Sequence, residues 1–233
     1  LQKQMPELNL SLHPNLLRAD DCLKCLSEVG HDLSGNLIVG QASFDRFERW
    51  KRDCDQDEQQ LIASIAADDQ RDVRIHGSSL GGERPKRLIT AGSGTGWIVK
   101  FSPPLETEFG RRWSDLLIAE ELCAKTLDAG GISSAASRSL AVEGESGRRR
   151  YLLIDRYDRL SNFGRRGAAT LFSYAECELG DPSFSAPKVL AAMISQGQLE
   201  QSAQEQLDLV HEFSRAIGNT DSHLGNYGLV FDD

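Results

Sequence analysis

Positive charge is scarce in this chain. Its 26 Lys and Arg are outnumbered by 35 Asp and Glu, for a net charge of −9. A surface this acidic lacks the clustered cations that neutralise phosphates, which argues against direct nucleic-acid binding by this chain alone. No apolar run approaches the roughly 18 residues of a membrane span, and no secretory signal opens the sequence. The expectation is a cytoplasmic protein with no membrane partner. Cysteines number five, an odd and scattered set that predicts reduced thiols instead of a disulfide framework. Cys22 and Cys25 form a CxxC with neither a second pair nor nearby histidines, so a helix face outweighs zinc or redox chemistry there. A Gly-Lys-Ser or Gly-Lys-Thr step is absent as well, which excludes a Walker A phosphate loop.

What is present has the composition of a globular protein, with 39% hydrophobic and 26% charged residues. The length suits one large domain or two small lobes. Asp20 to Val29 predicts a helix with Cys22, Leu23, Leu26 and Val29 on its apolar face and Gly30 as its stop. A turn and short strand follow over Leu33–Gly40. Residues 43–72 lean helical, with Phe44, Phe47 and Trp50 spaced as core. Val73–His76 reads as extended. Arg87–Ala91 and Trp97–Phe101 read as a hairpin whose Gly92–Gly96 connection is a plain turn. Arg112–Asp128 predicts a strong helix with Leu116, Leu117, Leu122 and Leu127 in its stripe, ended by Gly130 and Gly131. Ser139–Val142 and Tyr151–Asp155 read as a second strand pair. Helices over Ser185–Ile194 and through Leu207, Val210, Phe213 and Ile217 follow, the latter ended by Gly218. The basic clusters Arg111-Arg112, Arg148–Arg150 and Arg165-Arg166 read as solvated surface. The fold class is α+β, a β-rich part followed by a helical one.

The richest chemistry lies in Asn219-Thr-Asp-Ser-His-Leu-Gly-Asn226. Asp221 and Asn226 stand five apart, the spacing of catalytic Asp and metal-binding Asn in protein kinases. Phosphoryl transfer needs a carboxylate to orient the attacking hydroxyl and a neutral oxygen to help hold magnesium, and one loop can supply both. Asp221 is the candidate base and Asn226 the metal ligand. His223 is expected to support the loop by hydrogen bonding, and Asn219 to brace the turn. As a bare turn the segment is also well composed, since Asn, Asp, Ser and Gly all favour turns.

Lys100 ends an apolar strand, where it is either an edge-strand solubility device or a phosphate-binding lysine paired with Glu120 or Glu121 of the next helix. The segment Ser79-Leu-Gly-Gly-Glu-Arg-Pro-Lys86, with Gly81 and Gly82 at its centre, can cradle phosphates through backbone amides. Ile154-Asp-Arg-Tyr-Asp-Arg159 is a strand leaving the core, and contributes Asp155, Tyr157 and Asp158 as candidate nucleotide contacts by position.

In this order the four segments resemble the HipA family of bacterial serine/threonine kinases, the toxins of type II toxin–antitoxin modules, and within it the YjjJ-like branch. The resemblance implies a kinase-like, two-lobed fold. It divides the chain into a HipA-type N-terminal subdomain (1–72), an N-lobe with Gly-rich loop, Lys strand, helix and hinge (73–160), and a partial helical C-lobe (161–233). It implies an ATP- and magnesium-dependent protein kinase, autophosphorylated on Ser79, with a protein substrate such as an aminoacyl-tRNA synthetase and an antitoxin partner. The family's second magnesium-binding Asp lies roughly twenty residues beyond the catalytic loop. This sequence ends at Asp233, and Asp232 and Asp233 read as a turn after Leu229–Phe231, so a partial C-lobe and metal site are expected. Two other readings stand beside it. One is a lipid or small-molecule kinase, because Asp-x-His-x-x-Asn also resembles phosphoinositide kinases. The other is a non-catalytic pseudokinase or regulatory binding module.

Overall fold

A computed structural model describes residues 17–67, 86–144 and 146–231. Ser79, Gly81 and Gly82, the extended run expected at Val73–His76, and the final Asp232 and Asp233 lie outside the described residues. The fold is α+β with antiparallel sheets, in two compact units. No described helix is long and apolar enough to cross a membrane.

The first unit spans residues 1–126 and 134–165. Its sheet comprises β1 (Lys86–Thr90), β2 (Gly96–Phe101), β3 (Ser137–Gly144) and β4 (Gly147–Asp155), in the order β1-β2-β4-β3 with every neighbour antiparallel. Side chains alternate along β2: Trp97, Val99 and Phe101 are buried, while Ile98 and Lys100 on the other face are less so. The buried set joins Tyr151 and Leu153 of β4 and Ile62 and Ile65 of helix α3 (Glu58–Ala67) in one core. On the Lys100 face, helix α4 (Glu108–Ala129) brings up its carboxylates. Gly110 allows the start of α4 to lie on the Pro104 carbonyl, a space that a Cβ would enter. Ahead of the sheet come α1 (Ala19–Val29), a 3-10 turn (Gly30–Asp32) and α2 (Gln41–Asp53).

The second unit spans residues 127–133 and 166–233. Strand β5 (Gly167–Thr170) pairs antiparallel with β6 (Gly228–Phe231), and between them lie α5 (Leu171–Glu178), α6 (Ala186–Ser195) and α7 (Ser202–Ala216). Leu171, Ala175, Val189, Met193, Leu207 and Leu224 form its core. Thr170 caps α5 by accepting from Ser173 N at 3.1 Å. Gly218, at φ +69°, turns the chain out of α7 in the left-handed conformation that glycine adopts freely.

Several expectations are corrected. Residues 33–40 form no strand. The Leu33 and Gly35 carbonyls accept from the guanidinium groups of Arg159 and Arg165, not from a neighbouring strand. On α1 the buried residues are Cys25 and Val29, four apart, whereas Cys22 and Leu23 are exposed. Phe44 is exposed, while Trp50 sits edge-on to Phe163 at 5.5 Å between centroids. Of the expected α4 stripe, Leu117 is buried but Leu116 and Leu122 face water. Arg165 is not a solvated cation, since it donates to the His31, Leu33 and Gly35 carbonyls. The Gly92–Gly96 turn is more than a hairpin tip: Gly94, at φ +85°, packs against Phe163, and Ser93 O accepts from Asn162 N at 2.8 Å.

Candidate active site

Lys100 sits on β2 directly opposite Lys86 of β1, so both side chains project from the same face. The Lys100 ammonium pairs with the Glu120 carboxylate. Glu121 is not its partner: it accepts from Lys125 and from the Ser139 amide, which hold its carboxyl below the usual range. Burial, then the neighbouring Lys100 charge, lowers the pKa of Lys86 against the opposing pull of Glu120. Both ammonium groups thus face the same side of the sheet as the Glu120 carboxylate.

The strand exit is built differently. Asp155 ends β4, where its amide donates to Ala136 O at 2.8 Å. Arg156 and Asp158 turn into the protein, while Tyr157 turns out and is 43% exposed. Burial, then the adjacent Asp158 charge, raises the Tyr157 phenol. The Asp158 carboxylate is fully engaged. It accepts from Arg156 Nε and Nη2 at 3.0 Å each, Arg159 Nη1 at 2.8 Å and Gly35 N at 2.9 Å. Burial alone would raise its pKa, but the Arg156 hydrogen bonds and the two guanidinium charges outweigh it and hold the carboxyl low. Asp32 accepts from both Arg156 Nη1 and Arg159 Nη2 at 2.8 Å. With Arg165 bound to the carbonyls of the same turn, the first unit clamps residues 31–35 onto the strand exit. Sequence reasoning missed Asp32, Arg156, Arg159 and Arg165 as a group, because Asp32 lies 124 residues from Arg156 and no local pattern marks the pairing.

In the second unit, α7 and β6 hold the loop 219–226 between them. Asn219 Oδ1 accepts from Asp221 N at 3.0 Å, a side-chain turn that bends the chain after Gly218. His223 Nδ1 accepts from Gly225 N at 3.1 Å, and its Nε2 stands 3.4 Å from Asp221 Oδ1. The Asn226 amide donates to the Asp221 carbonyl, so its side-chain oxygen remains available as a ligand. The Asp221 side chain is 79% exposed. Ser222 and Tyr227 share a hydroxyl–hydroxyl bond, and the Tyr227 ring meets His211 edge-on at 5.8 Å. Tyr227 was also missed, since it follows the motif as an ordinary strand-entry aromatic. The loop thus gathers Asp221, His223 and Asn226 into one turn, with a carboxylate and an amide oxygen facing solvent.

That donor set fits magnesium in part. Magnesium takes one or two protein oxygens and completes its shell with phosphates and water. Asn226 Oδ1 and the Asp221 carboxylate are oxygens of that kind. Among the described residues no cluster of three or more His, Cys, Asp or Glu forms a closed cage.

Comparison with known proteins assigns the chain to a family. The family described as the HipA-like C-terminal domain matches residues 78–233. Toxin YjjJ of Escherichia coli (strain K12) is 30% identical over 237 residues, covering 100% of this chain and 53% of the relative. The chain therefore spans about half the length of the curated relative it matches. No solved structure matches it. With a family match over more than half of its residues and 30% identity to Toxin YjjJ along the whole of this chain, the chain belongs to the HipA family.

Proposed function

We propose that this chain carries out ATP- and magnesium-dependent phosphorylation of serine or threonine in a protein, on a kinase-like fold. The observation that carries this reading is the Asn226-to-Asp221 hydrogen bond, which fixes a carboxylate and an amide oxygen in one exposed turn. Asp221 orients the acceptor hydroxyl and takes its proton. His223 holds the turn through Gly225 N and lies beside the carboxylate. Asn226 would hold magnesium, which supplies neutralisation of phosphate charge when bound. Lys100, oriented by Glu120, and Lys86 bind phosphate oxygens. Asp155 and Tyr157 face the nucleotide, and Asp158 positions that segment through Arg156 and Arg159. Ser79, with Gly81 and Gly82, covers the phosphates and is itself phosphorylated, adding nearly two negative charges where ATP must dock. The likeness to a toxin supports an antitoxin partner. The free cysteines support a cytoplasmic setting.

The test is incubation of the full chain with labelled ATP and magnesium, followed by phosphosite mapping of the chain and of a cell lysate. Label is expected on Ser79 and on protein serine or threonine, and Asp221→Asn should reduce it by about a hundredfold or more. Label confined to a lipid or soluble metabolite would refute protein kinase activity. Equal labelling by Asp221→Asn would refute the role of the loop.

A further inference from the structure

Beside the loop the second unit holds an open hollow of about 510 Å³, walled by Phe172, Pro182, Phe184, Pro187, His211 and Leu224. Ser222 and His223 line it on the loop side, and Ser185 and Ala186 at the start of α6. We propose that this hollow is a subsite for an apolar, preferably aromatic, side chain flanking the acceptor serine or threonine of a protein substrate. The proposal rests on the kinase reading and adds the chemistry of the substrate to it.

Three observations carry it. The first is continuity with the loop. Ser222, His223 and Leu224 follow Asp221 directly, at about 3.8 Å per residue. An extended substrate advances about 3.3 Å per residue. A residue one or two positions from the hydroxyl at Asp221 therefore reaches the hollow without a bend. The second is charge. In a chain of net charge −9, no Asp or Glu lines the hollow. Its polar groups are serine hydroxyls and imidazoles, so a lysine or arginine side chain would find no counter-charge there. An aromatic side chain instead meets the Phe172 ring and proline faces, while Lys188 Nζ stands 3.5 Å over the Phe184 ring and adds a like charge against any incoming cation. The third is mechanical linkage. His211 in the wall meets the Tyr227 ring edge-on, and Tyr227 bonds Ser222, the residue after Asp221. Filling the hollow thus braces the loop that carries Asp221, and the correct neighbour residue helps to set the acceptor geometry.

The experiment uses the full chain carrying Asp221→Asn, so that binding is read without turnover. Fluorescein-labelled peptides Gly-Ala-Ala-Ser-Ala-Ala-Gly, with Phe replacing Ala at each position flanking Ser in turn, are titrated by fluorescence anisotropy. At least one Phe peptide should bind about tenfold tighter than the all-Ala peptide. Phe172 and Ser185 are both exposed, so neither substitution disturbs the core. Phe172→Ala strips a wall and Ser185→Trp puts an indole on the lining, and each should abolish the preference while leaving the circular dichroism unchanged. Equal binding of Phe and Ala peptides, or a preference that survives both variants, would overturn the subsite. Labelled-phosphate transfer by the unsubstituted chain separates the two ideas. A Phe peptide that binds in the hollow while neither it nor any lysate protein is phosphorylated sinks the kinase reading and reduces the hollow to an apolar peptide site with no acceptor beside it. Proteins phosphorylated without any Phe preference sink the subsite alone.

Discussion

Asp158→Asn preserves volume and removes one charge from the clamp in the first unit. The carboxylate accepts four hydrogen bonds from Arg156, Arg159 and Gly35, and the Arg156 and Arg159 side chains are only 4% exposed. Breaking a buried ion pair by neutralising one partner costs about 3–5 kcal/mol. Asp32 remains 2.8 Å from both guanidiniums and still supplies one counter-charge, which sets the expectation at the lower end, about 3 kcal/mol. With a urea slope of roughly 2 kcal/mol/M, the midpoint should fall by about 1.5 M. Trp50, Trp97 and Trp113 all lie in the first unit, so intrinsic fluorescence reads that unit without a label. Asp32→Asn combined with Asp158→Asn should cost more than the sum of the single changes, because the last counter-charge goes with the second. A midpoint shift below about 0.3 M for Asp158→Asn would mean that water screens the cluster, and the clamp would lose its energetic basis.

Other expectations follow from the same geometry. Burial lowers the pKa of His31, against the opposing pull of Asp32, and its Nδ1 is buried without a hydrogen-bond partner among the described residues. The unfolded chain takes up this proton near pH 6.5, before the folded one does, so stability falls as pH drops from about 6.5 toward the lower folded value. Urea midpoints measured across that window should slope for the unsubstituted chain and flatten in His31→Gln. The Asp158 carboxyl is also held low, so its contribution is present above about pH 4 and is lost as pH falls through the folded value. Acid titration of tryptophan emission should show a transition in that range that Asp158→Asn lacks. Lys100→Met should change stability by no more than about 1 kcal/mol, since its ion pair is partly exposed, yet reduce phosphate transfer by about a hundredfold. Equal losses of stability and transfer would make Lys100 a structural residue. Gly110→Ala drives a Cβ into the Pro104 carbonyl, and should lower the thermal midpoint where a surface Gly→Ala in a helix would raise it.

Legibility in the sequence followed the range of the forces involved. The β1–β2 hairpin, α4 with its Gly130 stop, and α7 with Gly218 are local structures, set by alternation, helical spacing and glycine, and they stand where those patterns place them, except that α4 begins at Glu108, ahead of the expected Arg112. The loop at 219–226 was equally visible, since its bonds join residues two to five apart. Strand β5 was not visible. Gly167-Ala-Ala-Thr170 has weak strand propensity, and pairs only because β6 lies beside it. The short strand expected within Leu33–Gly40 failed for the opposite reason. Leu37 and Val39 look strand-like, but the preceding carbonyls are claimed by arginines more than a hundred residues away. Arg165 beside Arg166 reads as a solvated pair, and nothing near it in sequence signals three backbone acceptors.

The β5–β6 pairing has a consequence in time. Thr170 meets Gly228 across roughly sixty residues, and closing a loop of that length costs about 3–4 kcal/mol of chain entropy before any contact is gained. The intervening helices form from contacts much nearer in sequence, so they assemble first and shorten the distance to be closed. The turn bearing Asp221 is anchored at one end by α7 and at the other by β6, so it acquires its shape only when β6 docks on β5. A chain still emerging from the ribosome holds all three helices of this unit before it holds a formed loop. Any activity that depends on the loop waits for the completed pairing.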